Sequence, residues 1–403
     1  MPRRKRPSWA VLIALCSVLV VTGIAPGLAR ASDGPRHPAQ TAARDQVKKL
    51  SPVQFTQFPT DKCAQPCKDT LVPWQGRYVA VLVDPSVPRD PRVMQKMVSA
   101  FDRAWQYYRT TTGGTPKPVY SLHGRDEVAE VPAGTTCGAG CTYPGETGTE
   151  FDAHYFEDAY QQLAQHGLHS QIAFYEFGRS FWFWDRQLKF HAPDQDPVVT
   201  GFAVWMRFRS MDAAGVPGAP FKMGSISDPG TPFETFRAQV VALAGEYEAS
   251  SQTFAQTLAM NRSPGMYGGT DFWASLMMQV AQAEGDQNFV SRFWHHAGSL
   301  PKARSTTQAV TNWIKDINYA GCVNLNIFFY DELGFPMPDG TTMPRRRASP
   351  LAPGRGCHPV VRPGCRTGRK VSRRRCPGAC TSARRRPARR RRPAGRRCPV
   401  ASR

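Results

Sequence analysis

Five consecutive residues, Tyr175-Glu176-Phe177-Gly178-Arg179, lie inside an apolar run from Ile172 to Trp184. A helix over this run puts positions 175, 176 and 179 on one face. A zinc-binding helix of the H-E-x-x-H kind needs two imidazoles one turn apart and a glutamate beside them as general base. Glu176 stands at the glutamate position, but Tyr175 and Arg179 occupy the histidine positions. A guanidinium stays protonated and has no lone pair for a metal. The helix keeps a candidate catalytic base and lacks the usual ligands, so no metal and no other cofactor is expected. Two chemistries follow. Glu176 could act as a general base with the Arg179 charge in place of a metal's, although a guanidinium does not acidify water as zinc does. Alternatively, Glu176 and Arg179 form an i, i+3 ion pair that fills the vacated space.

Other residues invite weaker readings. Phe181-Trp182-Phe183-Trp184 and Trp205 could stack on sugar rings. Helical spacing sends at most half of them to one side, so most belong to the core and Trp182 is the one assigned to a cleft. His154, His166, His169 and His191 are scattered, and Gly167 between the middle two marks a helix end rather than a ligand pair. Asp194-Gln195-Asp196 echoes a calcium loop but lacks its remaining ligands, so a solvated turn before Pro197 is expected. Glu246, Glu248 and Asp271 could supply paired carboxylates for glycoside hydrolysis, against the plainer reading of solvated helix faces. No G-x-S-x-G, P-loop or dinucleotide fingerprint occurs, which leaves esterase, NTPase and dehydrogenase chemistry without support.

The elements that must position these residues are legible from periodicity. Arg77 to Val83 is a buried strand, and Pro91 opens a helix with Val93, Met97, Phe101, Ala104 and Tyr108 at helical spacing, closed by Gly113-Gly114. Strands are expected near Val119 to Leu122 and Val128 to Val131. A glycine-rich stretch from Gly134 to Glu150 then reads as an edge strand or loop beside the cleft, which brings Tyr143 and Glu150 into the candidate site. A helix from Asp152 to about Gln165 precedes the motif helix. From Pro197 onward the pattern is helical, over 198–214, 235–258, 271–283, 288–296 and 307–319.

Charge and cysteines bound the class. The net charge of +21 resides in the tail: residues 341–403 hold twenty Arg, one Lys and no acidic residue, so the first 340 balance to zero. The core carries no sign of nucleic-acid binding. The tail, rich in Arg and Pro with no aromatic residue, is expected to be disordered. It is either a polybasic arm for polyanions, through runs such as Arg389 to Arg392, or the product of a shifted reading frame in GC-rich DNA. At the other end, Arg3 to Arg6, the apolar run Trp9 to Ile24 and Ala29-Arg30-Ala31 lay out a secretory signal peptide over residues 1–31, implying a secreted protein without a stable membrane anchor. Residues 32–70 look like a linker. Two C-x-x-x-C pairs, Cys63/Cys67 and Cys137/Cys141, suggest two disulfides in an exported chain, local or crosswise, with Cys322 left over as a buried thiol.

Three stretches together resemble the enhancin-like, mucin-degrading gluzincin metallopeptidases. Tyr175 to Ser180 is similar to that family's H-E-[LIM]-G-H-N. Pro197-Val198-Val199-Thr200-Gly201 falls where the family has G-E-V-T-N, with Val198 at the position of its glutamate ligand. Val323-Asn324-Leu325-Asn326-Ile327-Phe328-Phe329, running to Gly334-Phe335-Pro336, is similar to the closing N-L-T-x-F-F and G-[FW]-P. The resemblance covers roughly residues 71 to 340 and implies a zincin-like α+β domain: a small mixed sheet, an edge strand over the motif helix, and a mainly helical lobe. All three implied ligands are replaced. The expectation is a secreted, monomeric, non-catalytic protein that binds an extracellular glycan or glycoprotein, with Tyr175, Glu176, Arg179, Trp182, Tyr143 and Glu150 around the cleft. The alternatives are a hydrolase that still uses Glu176, and polyanion binding through the tail.

Overall fold

The computed structural model describes residues 47–59, 67–222 and 227–344. The expected signal peptide, Cys63 and the Arg-rich tail lie outside them. The chain is α+β. Its mixed sheet contains β1 (Lys48–Lys49), β3 (Lys68–Gln75), β4 (Val79–Val83), β6 (Arg125–Val131), β8 (Thr149–Asp152) and β7 (Gly140–Cys141) in that spatial order, with β2 (Val53–Thr56) paired to β3 and β5 (Ser121–Leu122) to β6. The run β4-β6-β8 is parallel, and β7 returns antiparallel along the edge, pairing Gly140 with Phe151 and Cys141 with Glu150. Every residue of β4, Val-Ala-Val-Leu-Val, is buried, as a parallel strand covered on both faces requires.

Two expectations need correction here. Residues 32–70 are not simply a linker, because 47–59 and 68–70 contribute strands to the sheet. Exposed Lys48, Lys49 and Lys68, together with Pro73 inside β3, hid that contribution, since charges and proline are tolerated near a sheet edge. The edge strand is also much shorter than the Gly134 to Glu150 stretch expected to hold it. It is Gly140–Cys141, whereas Thr149–Asp152 lies inside the sheet with all four residues buried.

The first long helix, α1 (Pro91–Thr112), has the termini its sequence specifies. The Asp90 side chain accepts from the Arg92 amide, Pro91 opens the first turn, and Gly113 closes the helix at φ 71°. The helix packs Phe101 on Phe174 and Phe177, Trp105 and Tyr108 on Phe181, and Tyr108 on Phe202 as well. After α2 (Ala153–Gln161) come the motif helix α3 (Ile172–Ser180), the short α4 (Asp185–Leu188) and α5 (Val198–Ala214). Buried residues occur all round α5, from Val198 and Phe202 to Trp205, Phe208 and Met211, which makes it the central helix of the lobe. Against it pack α6 (Phe233–Ala249), α7 (Gly269–Ala283) and α8 (Gln287–Ala297), while α9 (Thr306–Gly321) packs on α7 and α8. The helix expected over 235–258 stops at Ala249, and two short 3-10 turns follow.

Helices α3 and α5 approach closely because residue 178 is glycine. A Cβ there would lie 2.7 Å from Ala203 Cα and 3.0 Å from its Cβ. The Tyr108 hydroxyl donates to the Phe174 carbonyl at 2.7 Å, tying α3 to α1 as well. A buried aromatic cluster of Trp182, Trp184, Phe202 and Trp294 seals the other end of α3.

Candidate functional site

The polar face of α3 opens onto a cavity of about 520 Å³ between β7, α3 and α5. Glu176, Tyr175 and Arg179 all line it, so the three motif residues share one wall as helical spacing required. Glu176 is 4% exposed and packs directly under the edge strand. A Cβ at Gly140 would meet Glu176 Cγ at 2.9 Å, Oε1 at 3.0 Å and Ile172 Cγ2 at 3.1 Å. Only glycine lets the strand cross the helix at this height.

Arg179 bridges the two elements. Its Nε donates to the Thr142 carbonyl just past β7 at 3.2 Å and stands 4.0 Å from Glu176 Oε2. That separation is the long limit of an ion pair, and Oε2 has no hydrogen-bond partner. Burial pushes the Glu176 carboxyl up to about 7, with Arg179 and Thr142 only partly opposing it. The cavity wall thus carries a buried carboxyl whose surroundings favour its protonated form. Burial also raises the Tyr175 phenol, which therefore stays a neutral donor.

The opposite wall comes from α5 through Thr200, Val204 and Arg207. Val198, aligned above with the family's glutamate ligand, instead packs into the core at 2% exposure. Arg207 is 4% exposed and ordered by neighbours on all sides. Its Nη1 donates to Gln171 Oε1 at 2.7 Å, its Nη2 lies 3.8 Å from Asp271 Oδ1, and its guanidinium stacks over Phe236 at 4.7 Å and Phe208 at 4.9 Å. Burial lowers the guanidinium to about 10, which still leaves it cationic at neutral pH. Nε of Arg207 has no partner. At the rim, Lys222 pairs with Asp158 at 2.8 Å.

Several sequence assignments do not converge on this cavity. Trp182 is 2% exposed and belongs to the aromatic core, its Nε1 donating to Asp185. Tyr143 is exposed and packs on Phe58 at 5.1 Å, outside the cavity lining. Glu150 is fully buried on the sheet's far side from α3, where Oε1 accepts from the Phe58 amide. All three sit within ten residues of true lining residues. Tyr143 and Glu150 miss the cavity because the strand beside it is Gly140–Cys141, and Trp182 misses it because the chain past the motif helix turns into the aromatic core.

Of the cysteines, Cys137 and Cys141 are bonded to each other, which fixes this pair as local and clamps the turn that enters β7. Cys67 is disulfide-bonded as well. Cys322 is not a buried thiol: it is exposed at the end of α9 and also disulfide-bonded. His166 and His169 do not pair. His166 ends a π turn capped by Gly167, while His169 is buried and held neutral, its pKa lowered to about 4 by burial. Asp196 accepts from the Phe190 and Val198 amides and so caps α5. Glu246 is exposed, whereas Asp271 does reach the cavity. No group of three or more His, Cys, Asp or Glu side chains able to hold a metal occurs among the described residues.

Sequence reasoning missed Arg207, Gln171 and Lys222. Arg207 carried a usable signal: it interrupts the otherwise apolar Ala203-Val204-Trp205-Met206-Arg207-Phe208 of a helix buried all round. A charge in that position must be paired or face a cavity.

No protein-family model matches the sequence. No curated protein matches it either. Among solved structures, it matches a functionally unknown conserved protein from Bacillus anthracis str. Ames at 13% identity over 64% of this chain and 48% of that chain, with a TM-score of 0.41. A mutant of a functionally unknown conserved protein from the same strain matches at 14% identity over 67% and 49%, with a TM-score of 0.42. This chain spans about half the length of the structures it matches.

Proposed function

We propose that this is a secreted, zincin-like recognition protein whose metal position has been taken over by a side-chain cation, and that it binds an extracellular glycan or glycoprotein without cleaving it. The observation that carries the reading is the juxtaposition of buried Glu176 and half-buried Arg179 beneath an antiparallel edge strand at a cavity wall. Tyr175 and Arg179 stand in place of two imidazoles, and Thr200, Val204 and Arg207 on the facing helix offer no carboxylate. Guanidinium groups orient carboxylates or sulfates by directional hydrogen bonds, and the cavity volume falls in the range of small-ligand sites. Among the described residues no helix is long and apolar enough to cross a membrane.

The test is binding of labelled protein to immobilised mucin-type glycoproteins and to their released glycans. Saturable binding that is lost in Arg179→Ala and in a cavity-filling Val204→Trp variant supports the reading. Equal binding by both variants, or none by the wild type, refutes it. Stoichiometric zinc in purified protein would also overturn it.

A second reading is a hydrolase that uses Glu176 as general base. It is favoured by the carboxyl's displacement to about 7, close to the ideal for proton transfer at neutral pH. Unchanged turnover of candidate substrates in Glu176→Gln would end it.

A further inference from the structure

A second hollow, of about 280 Å³, lies between α8 and α9 and shares no residue with the Glu176 cavity. Its central feature is a histidine–carboxylate pair. His296 Nδ1 stands 2.6 Å from Oδ1 of Asp316, a residue with no exposure at all. The imidazole also stacks on Tyr319, with centroids 3.7 Å apart and planes 16° from parallel. Ring position and ring plane are therefore both fixed. With Nδ1 turned inward to Asp316, Nε2 occupies the opposite, solvent-facing side of the ring.

The pair's proton count decides what that nitrogen offers. Burial drives the Asp316 carboxyl up, to about 9, because a lone negative charge there is poorly solvated. Burial also lowers His296. Both directions favour a pair with no net charge, in which one proton is shared across the 2.6 Å contact and Nε2 carries the other. Whether the shared proton sits on nitrogen or on oxygen, the hollow receives an N–H donor. The titratable and charged groups around His296 are Asp316 and Tyr319 on α9 and Arg292 and His295 on α8.

Arg292 supplies further donors. It lies one turn before His296 on α8, and its Nε donates to the Ala320 carbonyl at 2.6 Å, which anchors the guanidinium. Nη1 and Nη2 have no partner among the described residues. His295 is engaged elsewhere, its Nε2 bonded to the Thr110 carbonyl at 3.2 Å. A rigid N–H donor and an anchored guanidinium fork thus share one hollow that has no carboxylate oxygen in its lining.

We propose that this hollow binds a small oxyanion group (a carboxylate, sulfate or phosphate) between His296 Nε2–H and the free Nη groups of Arg292. The fork matches the spacing of two oxygens on such a group. This site is independent of the recognition cavity, so either can fail alone.

The test uses the full protein with its histidines labelled at ring carbon and nitrogen, titrated separately with sodium sulfate, phosphate and acetate at constant ionic strength. The expected result is a saturable shift of the His296 ring signals, with Kd on the order of 1 mM for at least one anion. Arg292→Gln should weaken that Kd about tenfold. Acetate tighter than sulfate would assign a carboxylate, and the reverse a tetrahedral group. The proposal is overturned if His296 signals do not move, or move without saturating, up to about 50 mM of every anion. It is also overturned if a folded Arg292→Gln protein, checked by its thermal unfolding, binds as the wild type does. Because the wild-type titration alone can refute the proposal, an unfolded variant would not shelter it.

Discussion

Arg179 Nε lies 4.0 Å from Glu176 Oε2 while donating to the Thr142 carbonyl at 3.2 Å, so one guanidinium serves both the motif helix and the chain leaving the edge strand. The carboxylate gains a nearby positive charge but no direct bond. That is why burial, rather than the arginine, dominates its acidity.

A pH dependence follows from this. The folded Glu176 carboxyl is raised from 4.5 to about 7, so the native state holds this proton where the unfolded chain has released it. The contribution to stability is complete below the unfolded value, declines as pH rises from there through about 7, and is flat above. Glu176→Gln lacks it. Comparing denaturant unfolding of the two proteins at pH 5 and pH 8, the wild type should lose on the order of 1 to 3 kcal/mol more than the variant. An equal pH response in both would refute the assigned burial.

Arg207 is the second charge at stake. Truncation to Ala would strand Gln171 and the partly buried Asp271 and remove the guanidinium from the faces of Phe208 and Phe236. A loss of about 3 to 5 kcal/mol is expected, as for other broken buried pairs. Chemical denaturation measures it directly, and a loss below about 1 kcal/mol would contradict the packing described.

Gly178→Ala tests the contact between α3 and α5. The added methyl would press on Ala203 Cα and Cβ, backbone and near-backbone atoms that cannot swing aside. The intrinsic helix preference of alanine favours the change by about 1 kcal/mol, and overpacking opposes it by about 1 to 3. Net destabilisation is expected, with weaker ligand binding because α3 must shift. A stabilised variant would show that the helices lie farther apart.

The Cys137–Cys141 bridge holds the turn that feeds β7 over Glu176. For so short a loop the chain-entropy contribution is about 2 kcal/mol. Cys137→Ser with Cys141→Ser should lower stability by that order. It should also increase amide exchange at Gly140 and Cys141 more than at β4, measured by mass spectrometry. Uniform protection across both strands would separate the bridge from the edge strand's order.

Much of this architecture was readable from residue pattern. The span 198–214 is the helix the pattern predicts, and Pro91 to Thr112 needs only its Asp90 cap, its proline and Gly113 to be recognised. The common face of Tyr175, Glu176 and Arg179 follows from helical periodicity alone. These features are local: spacing, capping and turn chemistry act within a few residues and leave their mark in sequence.

What only the tertiary structure decided is which of these faces meet. Trp182, two residues past α3, turns into the aromatic cluster, while Arg207, 28 positions from Arg179 in sequence, lines the same cavity as Arg179. Glu150 and Cys141 are paired neighbours on adjacent strands, yet only the cysteine lines the cavity. Register, strand order and the closeness permitted by Gly140 and Gly178 set these outcomes. They depend on contacts between segments far apart in the chain, and no single stretch of residues encodes them.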